Sequence, residues 1–296
     1  MLSPEDLEKL KKAGTIAATA LRLGMDMVRE DVKLYDVATE VESYIRKHGA
    51  KPAFPCNLSL NEVAAHYTPS VNDKTRFSIG DVVKVDVGAH IDGYVGDTAG
   101  TVEVGTKTFK TLIESSQRAR DKVMEFIGDG CPINEIGKAV EASMKQDGFR
   151  PIANLTGHEI KPYNLHAGLS IPNIDDKNTS TVKKGMVIAV EPFATNGKGM
   201  IMSAKPGHIY KMAKERPIAD PDLKEFYDNI SKEFVTFPFC ERWCDHPKAG
   251  QMLNKLLRHG LITVYQQLTE MKRGCVTQSE HTVYIEGKNA LITTLP

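Results

Sequence analysis

Apolar positions along this chain follow two periods. From Ser3 to about Arg29, Leu7, Leu10, Ala13, Ala17, Ala20 and Leu21 recur at the spacing of one helix face. Ser3 offers a hydroxyl cap, Pro4 stands at the first helical position, and Glu5 and Asp6 fill the first turn, so the helix has a defined start. A second helix is predicted from Leu34 to His48, with Val37, Val41, Tyr44 and Ile45 on one face and Gly49 as its stop. After Pro55 the chain is extended and weakly patterned. It then enters a β-rich run, Val82-Val-Lys-Val-Asp86-Val-Gly-Ala-His-Ile-Asp-Gly-Tyr-Val-Gly-Asp97-Thr, which reads as two arms of a hairpin turning between His90 and Gly93.

Two registers fit that hairpin. A four-residue loop pairs Ala89 with Tyr94 and sets Asp86 directly opposite Asp97. A two-residue Asp92-Gly93 turn slides the pairing by two residues. Because side chains alternate with period two, both carboxylates share one face either way. Like charges side by side among apolar neighbours are destabilising, and a metal ion between them is the simplest remedy.

The next stretch repeats the order. Helices are predicted from Phe109 to Phe126 and from Ile133 to Gln146, with Gly128, Gly130 and Gly148 as punctuation. Val37, Val41, Glu42, Ile45 and Gly49 recur as Ile136, Val140, Glu141, Met144 and Gly148, a constant offset of 99 positions. Two similar helix–helix–sheet halves about an approximate two-fold axis are expected. After Leu155 to Ala167, the run Met186-Val-Ile-Ala-Val-Glu191-Pro is strand-like. Residues 212–260 mix charged and aromatic positions and regain a helical period at Met252, Leu253, Leu256 and Leu257, so they read as a small helical insertion. Strand patterning returns at Leu261 to Tyr265 and Ser279 to Gly287, with a closing edge strand at Leu291 to Leu295.

Composition narrows the setting. The 296 residues can hold one large domain, or a domain plus an insertion. Basic and acidic side chains balance at 38 each, which gives no reason to expect nucleic acid or an acidic membrane as the main partner. The N-terminus lacks an apolar signal region, and no apolar run approaches the roughly 20 residues needed to span a bilayer. Five scattered cysteines suit a reducing cytoplasm better than a disulfide framework.

Several ionisable residues sit in apolar or strand-like surroundings: Asp86, Asp97, His158, Glu191 and Glu280. Four carboxylates and one imidazole suit hard to borderline divalent ions, and their formal charge balances two such ions. A pair of ions of this kind activates a bridging water and polarises a carbonyl. Cys240-x3-Cys244-x-His246 resembles half a zinc site with the wrong spacing, and Gly197-Lys-Gly is too short for a phosphate loop.

These residues carry a family likeness. Ala53-Phe-Pro, Asn61-Glu-Val-Ala-Ala-His66-Tyr-Thr-Pro, Asp86-Val-Gly, Gly96-Asp97-Thr-Ala, Gly157-His158-x7-His166-Ala-Gly, Ala189-Val-Glu191-Pro-Phe and Ser279-Glu280-His-Thr occur in order from residue 53 onward. The chain resembles the methionine aminopeptidases, in particular the archaeal form of their type 2 branch. The resemblance implies an α+β, pseudo-two-fold "pita-bread" fold over residues 1–211 and 261–296, with residues 212–260 as the helical subdomain of type 2. It implies two divalent ions (Co, Mn, Fe or Zn) held by Asp86, Asp97, His158, Glu191 and Glu280, with Asp97 and Glu280 bridging. His66 and His166 would donate hydrogen bonds to the substrate carbonyl, and Glu191 would be the general base. Phe54, Leu165 and Tyr265 would wall the methionine pocket, with Ile209 and His208 in a less familiar segment. The implied activity is removal of the initiator methionine from nascent proteins with a small second residue. A cytoplasmic monomer is expected, with the N-terminal methionine of nascent chains and the ribosome as partners. The alternatives are a proline dipeptidase or X-Pro aminopeptidase of the same fold, and a non-catalytic binding homologue.

Overall fold

The Ser3 hydroxyl accepts the Asp6 amide at 3.2 Å, and from this cap helix α1 runs over Pro4–Met27, followed by α2 (Leu34–Lys47). The computed structural model describes all 296 residues, Met1–Pro296. Strands β1 (Lys51–Leu60), β2 (Val63–Ala65), β3 (Val82–Ile91) and β4 (Tyr94–Glu103) complete the first part of the chain. Next come α3 (Lys110–Met124), α4 (Ile133–Gln146), β5 (Arg150–Pro151), β6 (Thr156–Ile160), β7 (Ser170–Pro172), β8 (Val187–Val190) and β9 (Phe193–Thr195). The remainder holds β10 (Ile201–Met212), α5 (Pro221–Phe234), α6 (Ala249–Arg258), β11 (Ile262–Glu270), β12 (Val276–Gln278), β13 (His281–Ile285) and β14 (Ala290–Ile292).

Each half is a pair of helices on a sheet. Ile16, Ala17 and Ala20 of α1 and Val37, Val41 and Ile45 of α2 bury against Val83, Val85 and Val87 of β3, within the sheet β1-β3-β4. Leu112, Ala119, Val123, Ile136, Val140 and Met144 of α3 and α4 bury against Ile188, Val190, Val283 and Ile285, within the sheet β14-β13-β8-β6-β7. The residues offset by 99 positions occupy the matching helix faces, as the repeat predicts. The extended stretch begins earlier than predicted, at Lys51. Its pattern was weak because β1 is an edge strand that carries Pro52 and Pro55, with register shifts on both sides of Phe54.

The β3–β4 hairpin takes the two-residue turn. Ile91 pairs with Tyr94, and Asp92 and Gly93 both have positive φ, 48° and 87°. That geometry matches the right-handed twist of the strands, which explains its advantage over the four-residue loop. Asp86 therefore faces Ala99, and Asp97 faces Gly88. The carboxylates are diagonal neighbours on one face, not direct partners.

Threonine hydroxyls join the two halves. Thr282 Oγ1 accepts the Asp97 amide at 2.9 Å and donates to the Asp97 carbonyl at 2.7 Å. Thr98 donates to the Glu280 carbonyl, Thr101 donates to the Gln278 carbonyl, and the Glu280 amide donates to Ala99. This seam brings Asp97 and Glu280 together from opposite halves.

β10 and β11 form a long antiparallel pair, and between Met212 and Ile262 the chain makes a helical excursion. Leu223, Phe226, Ile230, Phe239, Leu253 and Leu256 give that excursion its own small core. The buried Glu42 carboxylate ties it to α2, accepting from the two terminal guanidinium nitrogens of Arg242 (2.5 and 2.9 Å) and from Trp243 Nε1 (2.7 Å). No helix is long and apolar enough to cross a membrane.

Candidate metal centre and substrate cavity

A cavity of about 210 Å³ opens between the two halves. Its lining includes the polar residues Asp86, Asp97, His158, Glu191 and Glu280 and the apolar or aromatic residues Phe54, Leu165, Phe193, Ile209, Pro238 and Tyr265. The structure thus brings together all five sequence-predicted ligand candidates and all three predicted wall residues. From the segment Lys205 to Tyr210 it takes Ile209. His208 lies outside the lining, its ring edge-on to Tyr67.

Each polar residue is placed by a different element. Asp86 and Asp97 come from the hairpin, His158 from β6, Glu191 from the end of β8 and Glu280 from the entry to β13. His158 Nε2 lies 3.5 Å from Glu191 Oε1 and 3.7 Å from Asp97 Oδ2. Donor atoms of Asp97, His158 and Glu280 all lie within 4.8 Å of one another. Gln278, which sequence reasoning missed, is 1% exposed and donates from Nε2 to Glu280 Oε2 (3.3 Å) and Glu191 Oε2 (3.4 Å). Its sequence position, two residues before Glu280, was the available signal.

The electrostatics of these polar residues call for a cation. Burial pushes Asp86 up to about 7. Burial, reinforced by the neighbouring carboxylates, pushes Asp97, Glu191 and Glu280 well above the usual carboxylate range. Burial pushes His158 down to about 3, which keeps the imidazole neutral and its nitrogen free to ligate. Oδ1 of Asp86, Oδ1 of Asp97 and Oε1 of Glu280 are buried without a hydrogen-bond partner. Orphaned buried carboxylate oxygens are costly unless positive charge meets them. The donor set fits divalent ions of the oxygen-and-imidazole class.

The two further histidines differ. His166 is exposed at the rim, its ring centroid 4.3 Å from that of His158. His66 Nδ1 lies 3.3 Å from the Gln266 carbonyl, which can only accept, so Nδ1 carries the proton. Burial lowers the His66 pKa and keeps the ring neutral, leaving a lone pair on Nε2. Among the apolar lining residues, the Phe54 ring lies against Gly88, where a Cβ would come within 2.3 Å of it.

The remaining motifs serve the fold. His246 Nδ1 accepts the Lys248 amide, and Cys244 Sγ contacts the Cys240 carbonyl, both inside the excursion. The Gly197-Lys-Gly amides of Lys198 and Gly199 donate to the chain's own Glu270.

Comparison with known proteins agrees with this geometry. The model of metallopeptidase family M24 matches residues 8–227. A methionine aminopeptidase of Methanocaldococcus jannaschii is 42% identical over 98% of this chain and 99% of its own length. Another, from Thermococcus onnurineus, is 43% identical over 98% of this chain and 100% of its own. Among solved structures, that of a thermophilic Arx1 superposes with a TM-score of 0.87 at 17% identity, covering 100% of this chain and 92% of its own. At that identity the likeness speaks for the fold alone. The chain belongs to metallopeptidase family M24 and, within it, to the methionine aminopeptidases.

Proposed function

We infer that this chain removes the initiator methionine from nascent proteins by metal-assisted hydrolysis of the first peptide bond, and that it does so as a type 2 enzyme preferring a small second residue. One observation carries the reading: four carboxylates and an imidazole, with Asp97, His158 and Glu280 buried, line the same cavity as a set of apolar side chains. The helical excursion over residues 212–260 supports the type 2 assignment. Similarity to methionine aminopeptidases over nearly the full chain disfavours the prolidase alternative. The complete ligand set disfavours a non-catalytic homologue, because buried carboxylates without a cation would be destabilising.

Asp86, Asp97, His158, Glu191 and Glu280 would hold two divalent ions (Co, Mn, Fe or Zn). Once bound, the ions supply Lewis acidity that lowers the pKa of water and polarises the scissile carbonyl. Glu191 would take up the proton lost by the attacking water and return it to the leaving amine. His166 would donate to the carbonyl oxygen as negative charge develops. His66, expected to donate as well, would instead receive the scissile peptide N–H on Nε2, because its Nδ1 faces the Gln266 carbonyl. Phe54, Leu165 and Tyr265 would enclose the thioether side chain and exclude water. The carboxylates would receive the free α-amine, which confines cleavage to the first residue.

The test incubates metal-reconstituted protein with Met-Ala-Ser, Met-Lys-Ser and Gly-Pro and follows release of the first residue. Cleavage of Met-Ala-Ser alone is expected, abolished by a chelator and by His158→Ala. Release of glycine from Gly-Pro with Met-Ala-Ser intact would reverse the choice in favour of a prolidase.

A further inference from the structure

β10 is the edge of its sheet, which has the order β10-β11-β2. An exposed strand edge carries N–H and C=O groups that seek a partner. At both ends of β10 those groups are already paired, though not by a strand of the sheet. The Asn154 side chain donates to the Ile201 carbonyl and accepts the Ile201 amide, both at 2.9 Å. At the far end Tyr210 and Phe239 exchange backbone bonds of 2.7 and 2.9 Å.

Between these covers the Gly207 carbonyl accepts the Thr68 amide at 3.2 Å, and the edge is open from Met202 to Pro206. Met202, Ser203, Ala204, Lys205 and Pro206 are all exposed. The hydrogen-bond phase follows from Met271, whose amide donates to the Met200 carbonyl. Ile201 therefore turns its backbone groups outward, as its pairing with Asn154 requires, and alternation turns those of Ser203 outward too. Pro206 and the register shift after Ser203 end the regular ladder there, so the edge offers one residue's worth of pairing. Asn154, one of the two covering groups, and Pro238, next to the other, both line the catalytic cavity, as does Ile209 from β10 itself. The open edge thus lies between groups that line the cavity, without lining it itself.

We propose that the open β10 edge at Ser203 binds the substrate main chain beyond the scissile bond as a short added strand. This rests on the reading of the site as one that cleaves a peptide after its first residue. The partner is an extended polypeptide of any sequence, because the recognition uses only backbone groups common to all proteins. An enzyme whose substrates share nothing past their first two residues needs that kind of grip.

The experiment compares cobalt-loaded enzyme on Met-Ala amide and on Met-Ala-Ser-Gly-Ala, the pentapeptide also prepared with an N-methyl group at its third, fourth or fifth residue in turn. A pair of main-chain hydrogen bonds should give the pentapeptide an advantage of about tenfold in kcat/KM. N-methylation at one position should abolish that advantage, and Ser203→Pro, which removes the edge N–H, should abolish it for the unmodified pentapeptide. Equal kcat/KM for the two lengths, or a methylation series without a sensitive position, would overturn the proposal while leaving methionine release intact. Failure to release methionine from either peptide would overturn the functional reading and this proposal with it.

Discussion

At the scale of single residues, the chain often answers a buried charge with its own backbone. Glu270 is 1% exposed. It accepts the amides of Lys198 and Gly199 on one oxygen and those of Lys272 and Gly274 on the other. Burial alone would raise its pKa, but these four donors hold it below the usual glutamate range. Its contribution to stability is therefore present above the unfolded-state pKa and lost as pH falls through the lower folded value. Glu270→Gln should cost about 1–3 kcal/mol in urea unfolding at pH 7, and the gap from the parent protein should close in acid. A constant gap across that range would show that charge is not what the amides recognise. Gly88 offers a second test. An added methyl at Gly88→Ala meets the Phe54 ring, so KM for methionyl peptides should rise on the order of tenfold.

At the scale of elements, the seam between β4 and β13 is where the site is made. Thr282→Val keeps the shape of the side chain and leaves the Asp97 amide and carbonyl buried without partners. A loss of about 2–3 kcal/mol is expected, with weaker metal binding by calorimetry because Asp97 loses its anchor. The helices, by contrast, were legible from local spacing, since Leu7 to Leu21 and Val37 to Ile45 need only a 3.6-residue period to declare a buried face. The hairpin was legible down to the shared face of Asp86 and Asp97, and the choice of register needed only the positive φ of Asp92. β10 was not legible, because its exposed residues Met202–Pro206 lack alternation and carry a proline. The five ligand candidates could be collected by residue type. The tautomer of His66 could not, since it depends on a carbonyl 200 positions away.

At the scale of the whole molecule, the excursion between β10 and β11 is held to the first half by the Glu42–Arg242 pair, both side chains nearly fully buried. Arg242→Ala leaves the Glu42 carboxylate uncompensated, and a destabilisation of about 3–5 kcal/mol is expected. Limited proteolysis should then cut first within residues 212–260, and fluorescence of the single tryptophan, Trp243, should report the release. The threonine seam also has a kinetic meaning. Its bonds join residues 177 to 185 positions apart, whereas the β3–β4 hairpin closes over a two-residue turn. Contacts so distant in sequence form slowly, because a long loop must close before they yield any stabilisation. The two aspartates are thus set on one face early, while their partner Glu280 arrives only when the halves dock. During refolding, competence to bind metal should trail the recovery of secondary structure, and the centre that gives the protein its chemistry is among the last things its chain assembles.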